Sequence, residues 1–261
     1  METILEAKHI VKKFKIKKES PFEKQRYFKA VDDISFVVKE KQTFGIVGES
    51  GSGKSTLSEI MGDLQQPTSG TVEFLRKDIS KLSKKDYKDF RKNVQFIFQS
   101  PKGSMNPFYS VKDILSEPLK IFDKSYNEEK SLKEIVEMLN KVKLNKDILV
   151  KYPSEISGGQ AQRVAIARAL LLKPKIIICD ECVSALDLIV QAQIVELLRE
   201  LQQEFNTSYL FISHDISVVN EISHYVTVMK DGKVVEEDET ENVLFNPKTE
   251  YTKTLISSSY I

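Results

Sequence analysis

Gly48-Glu49-Ser50-Gly51-Ser52-Gly53-Lys54-Ser55-Thr56 is the stretch on which the reading of this chain turns. The apolar run Phe44-Gly45-Ile46-Val47 precedes it, and Leu57, Ile60, Met61 and Leu64 follow at helical spacing. The order predicted is therefore strand, glycine-rich turn and helix. Glycines let a backbone bend sharply and bring its N–H groups against phosphate oxygens. The helix that starts there adds the positive end of its dipole. Lys54 stands at the offset from which it reaches terminal phosphates, and the Ser55 hydroxyl suits a Mg²⁺ ligand. A chance glycine-rich turn seldom carries a Lys-Ser pair between a strand and a helix, so the stretch predicts a site for a nucleoside triphosphate.

At 261 residues the chain suits one large domain, or a core with a subdomain. Its net charge of +1 supplies no global field toward nucleic acid or anionic lipid, so no nucleic-acid partner is expected. Apolar runs such as Ile176-Ile177-Ile178-Cys179 are too short to span a bilayer. The stretch Met1-Glu2-Thr3-Ile4-Leu5-Glu6 lacks the basic and apolar regions of a signal peptide. A cytosolic chain is expected, with any membrane business conducted through a partner. Cys179 and Cys182 form a CxxC, but no second ligand pair exists and Cys179 ends a strand of buried character. Two small buried thiols are expected rather than a redox or metal site.

Residues 3–11 and 32–38 read as strands, the second alternating Ile34, Phe36 and Val38. Between them Lys15 to Phe28 is basic and contains aromatics, and is expected to be an exposed loop. Phe14 is the candidate to stack on a nucleotide base, with Tyr27 and Phe28 as rivals and simple packing as the alternative for each. Residues 70–75 read as another strand, and the strongly charged residues 77–92 as a solvated surface segment. Val94-Gln95-Phe96-Ile97-Phe98 reads as a strand that delivers Gln99 at its carboxyl end. Ligands of open α/β sheets sit beyond the carboxyl ends of strands, so Gln99 is a candidate for a metal or an attacking water.

From Ser100 to about Leu172 the pattern is mostly helical, with Leu132, Ile135, Val136, Leu139 and Val142 on one face. Ser157-Gly158-Gly159-Gln160 then opens a second helix. Ser is a good N-cap, but two adjacent glycines there are costly unless a backbone must approach something, an anion being the natural candidate. Lys175-Ile176-Ile177-Ile178-Cys179-Asp180-Glu181 reads as a central parallel strand ending in two carboxylates. Asp180 fits an acid supporting Mg²⁺, and Glu181 is placed to polarise a water. Ser208 to Ser213 reads as a strand that presents His214, a group able to hydrogen-bond a γ-phosphate. Residues 225–237 read as a hairpin around Asp231-Gly232, and a short helix and a tail follow from Asp238.

Gly48–Thr56, Gln99, Ser157-Gly158-Gly159-Gln160, Asp180-Glu181, Ser184-Ala185-Leu186-Asp187 and His214, in that order, resemble the ATP-binding cassette ATPases over almost the whole chain. The Ser-Gly-Gly-Gln run ahead of an Asp-Glu strand is highly specific, because kinases and GTPases with phosphate loops lack it. The resemblance implies an α/β fold with a RecA-like core, an N-terminal antiparallel β subdomain and an inserted helical subdomain bearing the signature. In this chain the core with its β subdomain falls on 1–98 and 173–237, the helical subdomain on 99–172 and a C-terminal tail on 238–261. The resemblance also implies that two subunits pack head to tail. Ser157, Gly158, Gly159 and Gln160 then face the ATP of the partner, and Ser184 to Asp187 form a cross-subunit loop. Glu181 is implied as general base, His214 as switch residue and Lys54 as phosphate ligand. Ser55, Gln99 and Asp180 are implied at Mg²⁺, and Gln99 also links that site to the helical subdomain.

A closer resemblance is to the ATPases of oligopeptide, dipeptide and nickel importers. It rests on Gly103-Ser104-Met105-Asn106-Pro107, Glu117-Pro118-Leu119, Tyr152-Pro153, Gln191-Ala192-Gln193, and Asn246-Pro247 with Tyr251-Thr252. Cys182-Val183 departs from the Pro-Thr usual after the Asp-Glu pair. The tail of this chain lacks the cysteines that some members carry, so no iron–sulfur cluster is expected. The implied function is ATP hydrolysis that powers an importer for peptides, or alternatively for nickel or a metal chelate. The implied partners are a second cassette ATPase (a related chain, or a second copy), two integral-membrane permease subunits and, indirectly, an extracellular binding protein. That places the chain peripherally on the cytoplasmic face of the membrane. A soluble, non-transport cassette ATPase is the more distant alternative, against which stand the single cassette and the lack of a long heptad segment or basic stripe.

Overall fold

A computed structural model describes residues 2–18 and 22–259. The chain opens with β1 (Thr3–Lys15) and β2 (Tyr27–Lys39), then forms β3 (Thr43–Val47), α1 (Lys54–Met61), β4 (Ser69–Phe74), the short β5 (Lys77–Asp78), α2 (Lys84–Asn93) and β6 (Val94–Ile97). Three helices follow, α3 (Val111–Phe122), α4 (Glu128–Lys141) and α5 (Gly158–Leu170). Then come β7 (Ile176–Asp180), α6 (Leu188–Phe205), β8 (Ser208–Ser213), α7 (Ile216–Ile222), β9 (Tyr225–Lys230), β10 (Lys233–Glu239), α8 (Thr240–Phe245) and α9 (Glu250–Ser259).

The strands form two sheets. One has the order β10-β9-β3-β8-β7-β6, in which all neighbours are parallel except β9 and β10. The other is antiparallel, with the order β2-β1-β4-β5. Their separation follows from the side chains. Along β7, Ile176 and Ile178 join Leu210 and Ile212 of β8 in a core shared with the antiparallel sheet and α1, while Ile177 and Cys179 join Tyr209 and Phe211 in a core shared with the helices. Strands buried on both faces have no polar side to present, so they read as unbroken apolar runs. Burying one such Ile or Phe side chain contributes roughly 1.5–3 kcal/mol. Phe36 of β2 stacks on Phe44 of β3 at 4.8 Å between centroids, and Asp32 N–H donates to Gly232 O at 2.8 Å, which ties the two sheets together.

Three expectations change. The first hairpin is longer than the pattern indicated: Phe14 pairs with Phe28 and Lys15 with Tyr27, so much of the supposed loop is strand. Residues 19–21 of that insert lie outside the described residues. The charged segment 77–92 is largely exposed, yet it forms β5 and α2 and buries Phe90 completely, edge-on to Phe74 at 5.5 Å. One apolar residue per helix leaves no periodic signal, although the Ser83 cap, which accepts from Asp86 N–H at 3.2 Å, marks its start. After Asp238 the chain continues β10 to Glu239 and adds two helices, and the second of these buries Thr252 and Leu255.

Among the described residues no helix is long and apolar enough to cross a membrane.

Candidate functional site

Every chemical group singled out at a strand end lies on one edge of the parallel sheet. The phosphate-loop stretch leaves β3, Gln99 follows β6, Asp180 ends β7 with Glu181 directly after it, and His214 follows β8. With four adjacent strands parallel, their carboxyl ends necessarily share that edge. A cleft of about 360 Å³ opens there, lined by Phe14, Phe28, Ala30, Ser50, Gly51, Gly53 to Thr56, Gln99 and Glu181.

The loop is shaped by its neighbours. Gly53 holds φ +102°, and a Cβ there would lie 2.1 Å from Ala30 O. At Gly48 a Cβ would meet Met229 O at 2.2 Å. Only glycine admits both approaches. Lys54 is buried, and its ammonium donates to Gly48 O at 2.7 Å and Glu49 O at 2.9 Å. Burial pushes its pKa down, opposed by the charges of Glu181, Asp180 and Glu49. An ammonium held inside the loop by two neutral carbonyls has no carboxylate in its grip, so it is available to an anion.

The Ser55 hydroxyl donates to Asp180 Oδ1 at 3.2 Å. Burial pushes the Asp180 carboxyl up, and the Ser55 bond pulls against it. A buried carboxylate and a hydroxyl in contact are two hard oxygen donors, and their charge calls for a cation. That donor set fits Mg²⁺, which takes one or two protein oxygens and completes its shell with water and phosphate.

Glu181 is the point of convergence. Gln99 Nε2 donates to Glu181 Oε2 at 3.0 Å, and His214 Nδ1 stands 3.6 Å from the same oxygen. The Glu181 N–H donates to Ile212 O at 3.0 Å, its carbonyl accepts from Ser184 Oγ at 2.9 Å, and its φ is +47°. A glutamate held in the left-handed region beside a cleft is a local cost of the kind that collects at reactive sites. Gln99 thus bonds Glu181, not the Ser55–Asp180 pair, through its amide nitrogen.

Of the candidate ring and its two rivals, Phe14 and Phe28 line the cleft and Tyr27 does not. Phe14 and Phe28 face each other across the hairpin and both line the cleft, whereas Tyr27, one residue from Phe28, falls on the other face of the ribbon.

Ser157, Gly158, Gly159 and Gln160 do not line this cleft. Ser157 Oγ accepts from Gln160 N–H at 3.2 Å and Gln160 Oε1 accepts from Ser157 N–H at 3.0 Å, so both side chains are engaged in capping α5. A Cβ on Gly159 would meet Val190 Cγ1 at 2.9 Å, but one on Gly158 would find nothing nearer than Leu186 Cδ2 at 3.7 Å. Packing therefore accounts for the second glycine and not for the first. Leu186 and Val190 bring the stretch beside Ser184-Ala185-Leu186-Asp187, where Asp187 caps α6 by accepting from Val190 N–H at 3.1 Å.

A family model described as ABC transporter matches residues 31–184. The chain belongs to the ABC transporter family. Members of that family resemble it over nearly its full length. The oligopeptide transport ATP-binding protein AppF of Bacillus subtilis is 46% identical over 98% of this chain and 78% of its own. OppF of Haemophilus influenzae, also an oligopeptide transport ATP-binding protein, is 43% identical over 98% of this chain and 78% of its own. The dipeptide transport ATP-binding protein DppF of Escherichia coli is 41% identical over 99% of this chain and 77% of its own. Among solved structures, the dimeric post-hydrolysis state of the ATP-binding cassette MJ0796 bound to ADP and Pi superposes with a TM-score of 0.80. It is 29% identical and covers 91% of this chain and 99% of its own. The α/β architecture with an antiparallel sheet beside the parallel one is that of these ABC transporter cassettes.

Sequence reasoning did not find Tyr251 as part of this neighbourhood. Its hydroxyl accepts from Glu49 N–H at 3.2 Å. The only trace in the sequence was its place in the importer-type tail.

Proposed function

We propose that this ABC transporter chain is the ATP-hydrolysing subunit of an importer for peptides. The observation that carries the reading is the convergence of Gln99 and His214 on Glu181 at the edge of a cleft that is also lined by Lys54 and by Ser55, the hydrogen-bond partner of Asp180.

In this reading the triphosphate enters with its base against Phe14 or Phe28, and the backbone amides of the phosphate loop through Thr56 donate to its oxygens. Lys54 leaves the Gly48 and Glu49 carbonyls and turns to the terminal phosphates. Ser55 and Asp180 would hold Mg²⁺, with Gln99 beside them, and the bound ion supplies charge neutralisation on the phosphates. Glu181 orients a water in line with the γ-phosphorus and takes its proton as the bond to the β-phosphate oxygen breaks, which yields ADP and phosphate. His214 reports the loss of the γ-phosphate. Positioning and electrostatic stabilisation supply most of the rate.

The signature residues Ser157, Gly158, Gly159 and Gln160 serve the ATP of a second cassette, and Ser184 to Asp187 cross the same interface. Support comes from their absence from their own cleft, and from a Gly158 that its own packing does not require. The second cassette is a related chain or a second copy. The unit 99–172 moves relative to the core 1–98 and 173–237, with 238–261 as the tail. Residues 100–119 meet one of two permease subunits at the cytoplasmic face of the membrane, and an extracellular binding protein delivers the cargo. Peptide is favoured over nickel or a metal chelate because the relatives quoted above are named for oligopeptides and dipeptides.

Phosphate release and light scattering of wild type beside Glu181→Gln, each with Mg·ATP, test the reading. Turnover by wild type and an ATP-dependent dimer of the variant are expected. A wild type that binds no ATP overturns it.

A further inference from the structure

The last helix comes back to the phosphate loop, and nothing in the reaction above uses it. Glu49 is held through both of its backbone groups. Its N–H donates to the Tyr251 hydroxyl at 3.2 Å, while its carbonyl accepts from Lys54 Nζ at 2.9 Å and from Ser52 N–H at 3.2 Å. The carbonyl that shares a peptide with this N–H is that of Gly48, and it accepts from Lys54 Nζ at 2.7 Å, so the Gly48–Glu49 peptide stands between the tail and the lysine that serves the phosphates. The ring of Tyr251 is fixed separately, with Lys230 Nζ 4.6 Å from its centroid.

The position of Tyr251 along its helix is also fixed. Glu236 of β10 is buried, and its carboxylate accepts from Lys248 N–H at 2.9 Å and Thr249 N–H at 3.1 Å. Thr249 Oγ1 in turn accepts from Thr252 N–H at 3.1 Å, and Thr252 is fully buried. A buried carboxylate that takes two amides at the start of a helix sets where the following turn falls. Tyr251 lies in that turn. A site that must hold several amides toward one anion gains from a rigid support behind it.

We propose that Tyr251 is a positioning residue for the phosphate loop, fixing the Gly48–Glu49 peptide from outside so that docking of α9 strengthens nucleotide binding. The role rests on the reading of the cleft as a nucleotide site. It is reciprocal: whatever factor the docked helix adds to nucleotide affinity, bound nucleotide adds to docking of the helix.

Tyr251→Phe in the full chain removes the acceptor and keeps the ring over Lys230. The net worth of one hydrogen bond predicts Mg·ATP binding weakened about two- to tenfold by calorimetry. Amide exchange at Glu49 is expected to quicken in the variant, while exchange in β8 stays at its wild-type value and the thermal midpoint falls by only a few degrees, the worth of one hydrogen bond, where a loss of fold would move both far more. Mg·ATP is expected to slow exchange along α9 in wild type and less so in the variant. Wild-type affinity in the variant, or unchanged exchange at Glu49, overturns this role and leaves the nucleotide reading intact. A wild type that takes up no Mg·ATP overturns both.

Discussion

The side-chain amide of Gln99 donates to Glu181 Oε2 at 3.0 Å and so joins the end of β6 to the residue after β7. His214 approaches that same oxygen at 3.6 Å. The carboxylate is therefore steered by groups from two other strands, on the neighbouring β6 and β8.

Glu181→Gln keeps the length of the side chain and removes its basicity. Turnover is expected to fall by about 10² to 10⁴, the usual worth of a general base, with Mg·ATP binding retained. Phosphate release measured beside equilibrium binding checks this. Hydrolysis at the wild-type rate would remove Glu181 from the role.

Lys54→Met removes the ammonium donor from the Gly48 and Glu49 carbonyls and the cation from the phosphates. Hydrogen bonds to charged groups contribute about 1.5–3 kcal/mol, so Mg·ATP affinity is expected to drop by at least about tenfold. Titration calorimetry reads it directly, and undiminished affinity would place the phosphates elsewhere.

Gly53→Ala and Gly51→Ala separate strain from collision. Both glycines have positive φ, +102° and +83°, but a Cβ meets Ala30 O at 2.1 Å only at Gly53, and nothing lies within 4 Å at Gly51. Left-handed backbone alone costs on the order of 1 kcal/mol. Gly51→Ala is expected to lose about that much in denaturant unfolding and Gly53→Ala clearly more. Equal losses would mean that the Ala30 strand yields.

The parts of the fold that were legible in the sequence are those whose burial has a period. β7 and β8 sit between two cores, so Ile176 to Cys179 and Tyr209 to Ile212 read as unbroken apolar runs, and the groups at their carboxyl ends could be placed on one edge before any coordinates. The ends of the first hairpin were not legible, because Lys12, Lys13, Lys15 and Lys29 ride on a ribbon with little to bury. Helix α2 escaped for a similar reason, since Phe90 alone among its residues is buried. Tyr251 reaches Glu49 across 202 positions, and a single hydroxyl on a single amide leaves no pattern along the chain.

His224 supplies a pH dependence. Its Nδ1 accepts from Thr43 N–H at 3.1 Å, which requires that nitrogen to be unprotonated. Burial pushes its pKa below the ordinary 6.5. The folded chain thus resists a proton that the unfolded chain takes, so this contribution to stability is complete above the ordinary value and is lost as pH falls through the lowered one. Thermal midpoints from pH 8 to 5 are expected to decline more steeply in wild type than in His224→Gln, which keeps an acceptor for Thr43. Parallel curves would exclude the group.

The left-handed backbone at Glu181 has a consequence for how such a chain drifts. Glycine and asparagine adopt φ near +47° at less cost than glutamate does. A lineage kept only for folding, or for holding nucleotide without turnover, would gain stability by exchanging Glu181 for either of them. The residue at this one position is thus a marker of whether a relative of this cassette still works as a motor, and one that can be scored from its sequence before any assay.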